Sequence, residues 1–403
     1  MDTNYRILAK NEVVNNDTWV TGLNNNDVII GPSGAGKTRG YVMPNILRMN
    51  GSMIVVDTKG SILNKVRSRL EENGYTVLSL DFTGNTMECG YNPFDYIRHD
   101  EEKDTFSARD IKTIASVLVP VETKVDPFWS LAARQLLECL IAYVMECLPW
   151  EEQSMVSVLR LFSIMGSKEY NRLFFELAEL NPDSYASSLF EMMKNQSRAD
   201  KMYESIRGVL SQKLYIYAEE TTRQLFTNEK KIDFRKLGRE KTAVFLTISD
   251  TDRSMDELVN LFYSQAFHEL CDSADRDYPD NRLQVPVRFF LDDFAANVFI
   301  PDFDKITSVI RSREISVSII LQSLSQLENM YGNAGARTIL NNCDNCLYLG
   351  GQDVETARYI SQKANKSASS ILNMPLKDAW LFQRGTEPRQ VEKYVPQEEM
   401  QCG

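Results

Sequence analysis

The sequence predicts an α/β fold built on a mostly parallel central sheet with an all-α domain inserted into it. Three observations carry this. Short apolar runs rich in β-branched and aromatic residues alternate with helical stretches, the pattern of a parallel sheet covered on both faces. Between residues 126 and 220 that alternation stops, and apolar residues recur at helical spacing instead. The chain is also long enough, at 403 residues, for one large domain and a sizeable insertion.

The predicted strands are Asp27 to Ile30, Met53 to Asp57, Thr76 to Leu80, Ala243 to Ile248, Val287 to Leu291, Ser316 to Leu321, Cys346 to Leu349 and Ala379 to Phe382. In the insertion, Leu131, Leu136, Leu140, Tyr143 and Cys147 outline one amphipathic helix. Further helical segments are expected around 156–165, 170–180 and 186–195. The expected domains are therefore 1–125, 126–220 and 221–403, with the first and third forming one α/β body. Residues 126–220 hold 14 Asp and Glu against 9 Lys and Arg, an acidic surface suited to a protein or basic partner, or simply a solvated face. Asn15 to Asn26 and the tail after Gln397 read as loop and frayed end.

Composition narrows the function classes. With 43% hydrophobic and 25% charged residues the chain is ordinary globular protein. A net charge of −11 argues against a surface that coats nucleic acid, and leaves room for a basic stripe lining a channel. Among seven cysteines the one close pair is Cys343 and Cys346, with no second pair or nearby His to complete a zinc site, so they read as small apolar fillers beside a strand. His99 and His268 read as structural. No apolar run approaches the roughly 20 residues that span a bilayer, and Met1 to Asn4 lack a signal-like pattern. A cytoplasmic location is expected.

The chemistry is carried by Gly31-Pro32-Ser33-Gly34-Ala35-Gly36-Lys37-Thr38. Val28 to Ile30 supply a strand, the glycines a turn that can approach phosphate closely, and Lys37-Thr38 open a helix whose free N–H groups face an anion. Lys37 is expected on the β and γ phosphates of ATP and Thr38 on Mg2+. Such a site needs a carboxylate at the end of a neighbouring strand, and Phe289-Phe290-Leu291-Asp292-Asp293 supplies two. Asp292 is expected in the Mg2+ shell and Asp293 as the base or water-orienting group. Gln322 ends the next strand, where an amide could sense the γ phosphate. Arg311, just before that strand, could face a neighbouring subunit and act there as an arginine finger.

These residues, together with Tyr91-Asn92-Pro93-Phe94, Asp126-Pro127-Phe128-Trp129, Leu291 to Ala295, Ile300-Pro301-Asp302 and Leu321 to Leu327, resemble the coupling proteins of type IV secretion and conjugation systems, the TraG type, within the FtsK/HerA group of RecA-like motor ATPases. The resemblance covers nearly the whole chain. It implies a RecA-like P-loop domain that assembles as a homo-hexamer, and an all-α domain that receives relaxase–DNA, accessory proteins or effectors. It also implies DNA in a ring channel, delivery to a type IV secretion channel, and a place at the inner face of the bacterial membrane.

Three departures accompany the resemblance. The family usually has Glu where Asp293 stands, and the shorter side chain is expected to hold an attacking water less well. Its Asp-Pro-Lys-Gly-Glu run reads Asp57-Thr58-Lys59-Gly60-Ser61 here. The transmembrane hairpin common in the family is not in this sequence, so an anchor is expected from a removed segment or a partner. Two rivals stand beside the motor reading: a substrate receptor with little intrinsic ATPase activity, and a septal or repair-type DNA translocase.

Overall fold

The computed structural model describes residues 4–86, 88–121, 127–196, 200–294 and 299–396. Asp126 and Ala295 of the family motifs, and the tail after Gln397, lie outside the described residues. The chain forms two compact units, one of Met1–Leu80, Asp233–Arg253 and Ala266–Gly403, the other of Asp81–Ile232 and Ser254–Gln265.

The strands are β1 Tyr5–Ala9, β2 Glu12–Asn15, β3 Asp27–Ile30, β4 Ser52–Val56, β5 Thr76–Asp81, β6 His99–Asp100, β7 Thr105–Phe106, β8 Thr242–Thr247, β9 Val287–Leu291, β10 Ile315–Leu321, β11 Asn345–Tyr348, β12 Asp378–Gln383 and β13 Arg389–Glu392. The first unit is organised by a nine-stranded sheet in the order β13-β12-β11-β3-β10-β9-β4-β8-β5. From β11 to β8 neighbouring strands run parallel, and β12 and β13 join antiparallel at one edge. Every residue of β3, β4 and β10 is buried, as expected of unbroken apolar runs covered on both faces.

All eight predicted strands are present. The hairpin of β1 and β2, the edge strand β13 and the β6–β7 pair escape the sequence pattern, being short and interrupted by polar residues. The expected loop 15–26 contains a short helix, Thr18–Thr21, whose first N–H groups Asp17 caps.

Asp27, the first residue of β3, is 1% exposed and gathers much of this unit around it. Arg6 of β1 grips it bidentately, Nε to Oδ2 at 2.6 Å and Nη2 to Oδ1 at 2.9 Å. Tyr41 Oη donates to Oδ2 at 2.5 Å, Asn345 Nδ2 donates to Oδ1 at 2.9 Å, and Arg288 Nη1 lies 3.5 Å from Oδ2. Burial alone would push this carboxyl up; Arg6 and then Arg288 outweigh it and hold it below the usual carboxylate range.

Among the described residues the second unit is helical apart from β6, β7 and one isolated bridge. Phe128–Cys147 is its central helix, packed against Ala108–Leu118, Tyr185–Gln196 and Asp200–Leu214. By length and composition this helix could cross a membrane, which corrects the expectation that no apolar run approaches that length; 56% of its apolar window is buried within the protein, as in a core helix. Glu146 near its end accepts from Ser184 Oγ at 2.5 Å and from the Tyr185 and Ala186 amides at 3.1 and 3.3 Å, capping the helix that begins at Tyr185.

The unit is wider than the expected 126–220. Residues 81–121 belong to it partly because Gly90 bridges to Lys231 in parallel register and lies so close to the helix Glu220–Thr227 that a Cβ there would meet Leu225 O at 2.6 Å.

Removing Asp27 leaves the buried Arg6 and the partly buried Arg288 without their carboxylate, whereas removing Arg6 leaves Arg288 to compensate it. Asp27→Ala is expected to cost ~3–5 kcal/mol and Arg6→Met roughly half that, read from hydrogen exchange of the β3 amides. Because the folded carboxyl titrates below its unfolded value, its contribution is present above the unfolded pKa of about 3.9 and is lost as pH falls through the lower folded value.

Candidate functional site

The loop Gly31 to Thr38 leaves the carboxyl end of β3 in the middle of the sheet. Its root is held on both sides: the Gly31 amide donates to Leu321 O of β10 at 3.0 Å, and the Leu349 amide, just past β11, donates to Ile30 O at 2.7 Å. Gly34 and Gly36 have φ of 77° and 92°, a region in which a side chain is strained, so the turn that exposes the loop's amides depends on them. Pro32, Ser33 and Ala35 fill the turn between, and the Ala35 amide donates to Pro32 O at 3.1 Å.

Lys37 Nζ donates to Gly31 O at 2.6 Å and to Pro32 O at 3.0 Å, so its ammonium lies across the mouth of its own loop. Thr38 opens one wide helical turn, Thr38–Val42, that runs on into Met43–Ile46; Pro44, which has no N–H to donate, sits at the junction.

The predicted carboxylates arrive from β9, two strands away. Thr38 Oγ1 donates to Asp292 Oδ2 at 2.5 Å. The Asp293 amide donates to Asp292 Oδ1 at 3.1 Å, and Asp293 itself has φ of 47°, so the strand end turns sharply and divides the two carboxylates between different neighbours. Gln322, after β10, donates Nε2 to Asp293 Oδ1 at 3.3 Å. Lys37, Thr38, Asp292, Asp293 and Gln322 thus form one cluster above the carboxyl ends of β3, β10 and β9, where open parallel sheets bind their ligands. The paired hydroxyl of Thr38 and carboxylate of Asp292 are hard oxygen donors of the kind Mg2+ takes.

Arg311 does not join this cluster. It lies in the turn Ile310–Arg313 before β10, exposed, with Nη2 donating to Gly22 O at 3.3 Å. The seven residues of β10 separate it from Gln322, roughly 20 Å along the strand.

Two features had no role assigned from sequence. Asp57, in the departing Asp57-Thr58-Lys59-Gly60-Ser61 run, is buried and accepts from the Ile62 and Leu63 amides at 2.8 Å each, capping the helix Ser61–Glu72. Beside Gln322, a cavity of about 270 Å³ is lined by Pro32 of the loop, by Gln326, and by Gly350, Gly351 and Asp353, which no local motif marks.

Burial works against both charges at the mouth of the site. It lowers the Lys37 ammonium, with Asp293 and Asp292 acting the other way, and it raises the Asp292 carboxyl against the hydrogen bond from Thr38. A carboxyl whose folded pKa lies above its unfolded value costs stability once ionised, and the cost disappears as pH falls through both values. Asp292→Asn is therefore expected to raise the ligand-free melting temperature at pH 7 by ~2 °C, with the gain vanishing by about pH 4, in calorimetry across pH.

Residues 3–370 match the family described as type IV secretory system conjugative DNA transfer. The VirD4 protein of Agrobacterium fabrum is 26% identical over 339 residues, which is 83% of this chain and 48% of that protein. The coupling protein TraD of Escherichia coli is 24% identical over 299 residues, 70% of this chain and 39% of that one. The chain spans about half the length of the curated relatives it matches first. In fold it is similar to the plasmid coupling protein TrwB solved with ADP and Mg2+, with a TM-score of 0.66, 17% identity, and coverage of 92% of this chain and 86% of that one. It also resembles VirB4 of Thermoanaerobacter pseudethanolicus, with a TM-score of 0.59, 15% identity, and 98% and 97% coverage. A parallel sheet carrying Gly31 to Thr38 at its centre, and a match that runs through nearly the whole sequence, make one statement: the chain belongs to the type IV secretory system conjugative DNA transfer family.

Proposed function

We propose that the chain is the ATPase core of a coupling protein, which hydrolyses ATP to deliver relaxase–DNA or effector substrates to a type IV secretion or conjugation channel. The observation that carries this is the Thr38–Asp292 hydrogen bond, which joins the phosphate loop to the carboxylate of a separate strand in a chain of this family. The ligands named for TrwB, ADP and Mg2+, support the choice of substrate and cofactor.

In this reading Gly31, Pro32, Ser33, Gly34, Ala35 and Gly36 wrap the phosphates with their backbone, and Lys37 exchanges its bonds to Gly31 O and Pro32 O for the β and γ phosphate oxygens. Thr38 and Asp292 hold Mg2+, which when bound neutralises charge on the triphosphate. Asp293 orients a water and takes its proton as the water oxygen attacks the γ phosphorus and the β–γ bridging P–O bond breaks, releasing ADP and phosphate. Gln322, hydrogen-bonded to Asp293, reports whether the γ phosphate is present.

Arg311 completes the site of a neighbouring copy in a homo-hexameric ring. The acidic helices within 126–220 receive the relaxase, accessory protein or effector, and DNA runs through the ring. The assembly sits on the cytoplasmic side of the bacterial inner membrane, held there by an anchor or a membrane partner. A receptor role for the helical region accompanies the motor and does not replace it, because the five-residue cluster around the loop has no purpose in a receptor alone.

Lys37→Ala is expected to lower ATP turnover at least ~100-fold, and turnover retained in that variant would sink the ATPase reading. Arg311→Ala is expected to lower it by ~10³-fold while nucleotide affinity stays within about twofold. In the unaltered protein the specific rate should rise with protein concentration, more steeply when DNA is added; a rate independent of concentration removes Arg311 from catalysis.

A further inference from the structure

The Gly22 carbonyl that holds Arg311 holds a second guanidinium as well. Arg384 Nη2 donates to the same oxygen at 2.5 Å, against 3.3 Å for Arg311 Nη2. The two arrive from opposite sides of β3. Arg311 precedes β10, and Arg384 follows β12 where Gln383 pairs with Asn345, the first residue of β11; β10 and β11 are the two neighbours of β3. Both arginines therefore meet at the amino end of the strand whose carboxyl end carries the phosphate loop.

They are held differently. Arg384 is anchored: its Nε lies 2.9 Å from Oδ1 of the buried Asp344, and its own amide donates to Asp344 O at 2.9 Å. Asp344 in turn is fixed to the turn before β3, its Oδ2 accepting from the Asn24 amide at 2.5 Å. Among the described residues no ion pair reaches Arg311, and its bond to Gly22 O is long. A neutral carbonyl does little to offset the repulsion of two full charges held side by side. One oxyanion with several oxygens satisfies both.

We propose that Arg384 is a second arginine acting on the neighbouring copy: with Arg311 it forms a fork that closes on the terminal phosphate of the nucleotide bound to that copy's loop. The inference rests on the ring reading of Arg311. Because both groups bond one oxygen, an interface that brings Arg311 to a phosphate brings Arg384 within reach of the same phosphate. Their tasks follow from how each is held. Arg384, fixed by Asp344, sets where the phosphate sits. Arg311, loosely held, moves onto the charge that develops as the β–γ bond breaks. Neither arginine gains or loses a proton, so the hydrolysis balances as already written.

The test mixes variants. Arg384→Ala and Lys37→Ala proteins are assayed alone, then combined in equal amounts at low concentration, concentrated together and assayed again with DNA. Alone, Arg384→Ala is expected to lose ~30-fold in turnover and Lys37→Ala at least ~100-fold. In the mixture, loops with an intact Lys37 receive Arg384 from Lys37→Ala copies, and the rate is expected to rise at least ~5-fold above the mean of the two parents. An Arg384 that steadies its own chain's turn and nothing else gives no rise. Arg311→Ala mixed with Lys37→Ala is the control. A flat mixture with Arg384→Ala beside a rising one with Arg311→Ala overturns the second arginine and leaves the ring standing. If both stay flat, Arg311 does not act between copies and the fork falls with it. Should Arg384→Ala fold poorly in calorimetry, Arg384→Lys, which keeps a cation beside Asp344 and loses the fork, takes its place. Full turnover in the folded variant overturns the proposal, and so does a loss confined to DNA affinity, which assigns the arginine to a DNA phosphate.

Discussion

The α/β unit depends on one carboxylate. Asp27 receives hydrogen bonds from Arg6 of β1, Tyr41 of the turn after the phosphate loop and Asn345 of β11, and an ion pair from Arg288 of β9. Four strands and the loop's own helix are thereby registered at the amino end of β3. A buried ion cluster is a poor source of net stability, since desolvating the charges offsets most of their attraction. Its value is geometric. Two guanidinium groups cannot be buried against one carboxylate in more than a few arrangements, and Ser318 and Asn25 fix the one adopted by accepting from Arg288 at 3.0 Å each. Tyr41 is the link that matters for the site, because it ties the turn begun by Thr38 back to the foot of the same strand that launches the loop. The phosphate loop is thus fastened at both ends to one short strand.

At the carboxyl end of that strand the physical balance is reversed. Lys37 and Asp292 are each pushed toward neutrality by burial, Asp293 is held in a left-handed conformation, and two glycines at positive φ hold open the amides of the turn. Each of these costs folding free energy that no contact within the cluster recovers in full. An anionic ligand with a divalent cation relieves three of them together: it gives Lys37 a counter-charge, Asp292 a metal and the loop amides an acceptor. The stable end of β3 supports the unstable one, a division common to sites that are built before their ligand arrives.

The loop motif was legible in sequence because it is local. A strand, three glycines and Lys-Thr lie within a dozen residues, and the strand endings at Asp292 and Gln322 could be found by counting apolar runs between helices. Fully buried parallel strands announce themselves in the same way, which is why Asp27 to Ile30 and Ser316 to Leu321 needed little correction. The Asp27 cluster was invisible. It draws on positions 6, 27, 41, 288 and 345, and no periodicity connects an arginine in a polar hairpin to an aspartate that looks like the first residue of a strand. The departing Asp57 run was ambiguous for a related reason: a carboxylate in a glycine-containing turn reads equally as ligand or cap, and only the two amides at 2.8 Å identify the cap. The apolar helix Phe128–Cys147 was misjudged because scattered Arg and Glu residues obscure how continuous its apolar surface is.

Arg311 carries the remaining step. It stands at the amino end of β10, and the cluster it was expected to serve stands at the carboxyl end of the same strand, with Gln322 as its nearest member in sequence. A rigid seven-residue strand buried along its whole length does not let the two meet within one chain. In the proposed ring Arg311 serves the loop of another copy, through an interface that joins unlike surfaces of the two subunits. Interfaces of that kind close into rings or run on as filaments, and a ring is the form in which every loop receives an arginine and none is left over. The separation of these two ends by one strand is what the proposed action on a neighbouring copy requires.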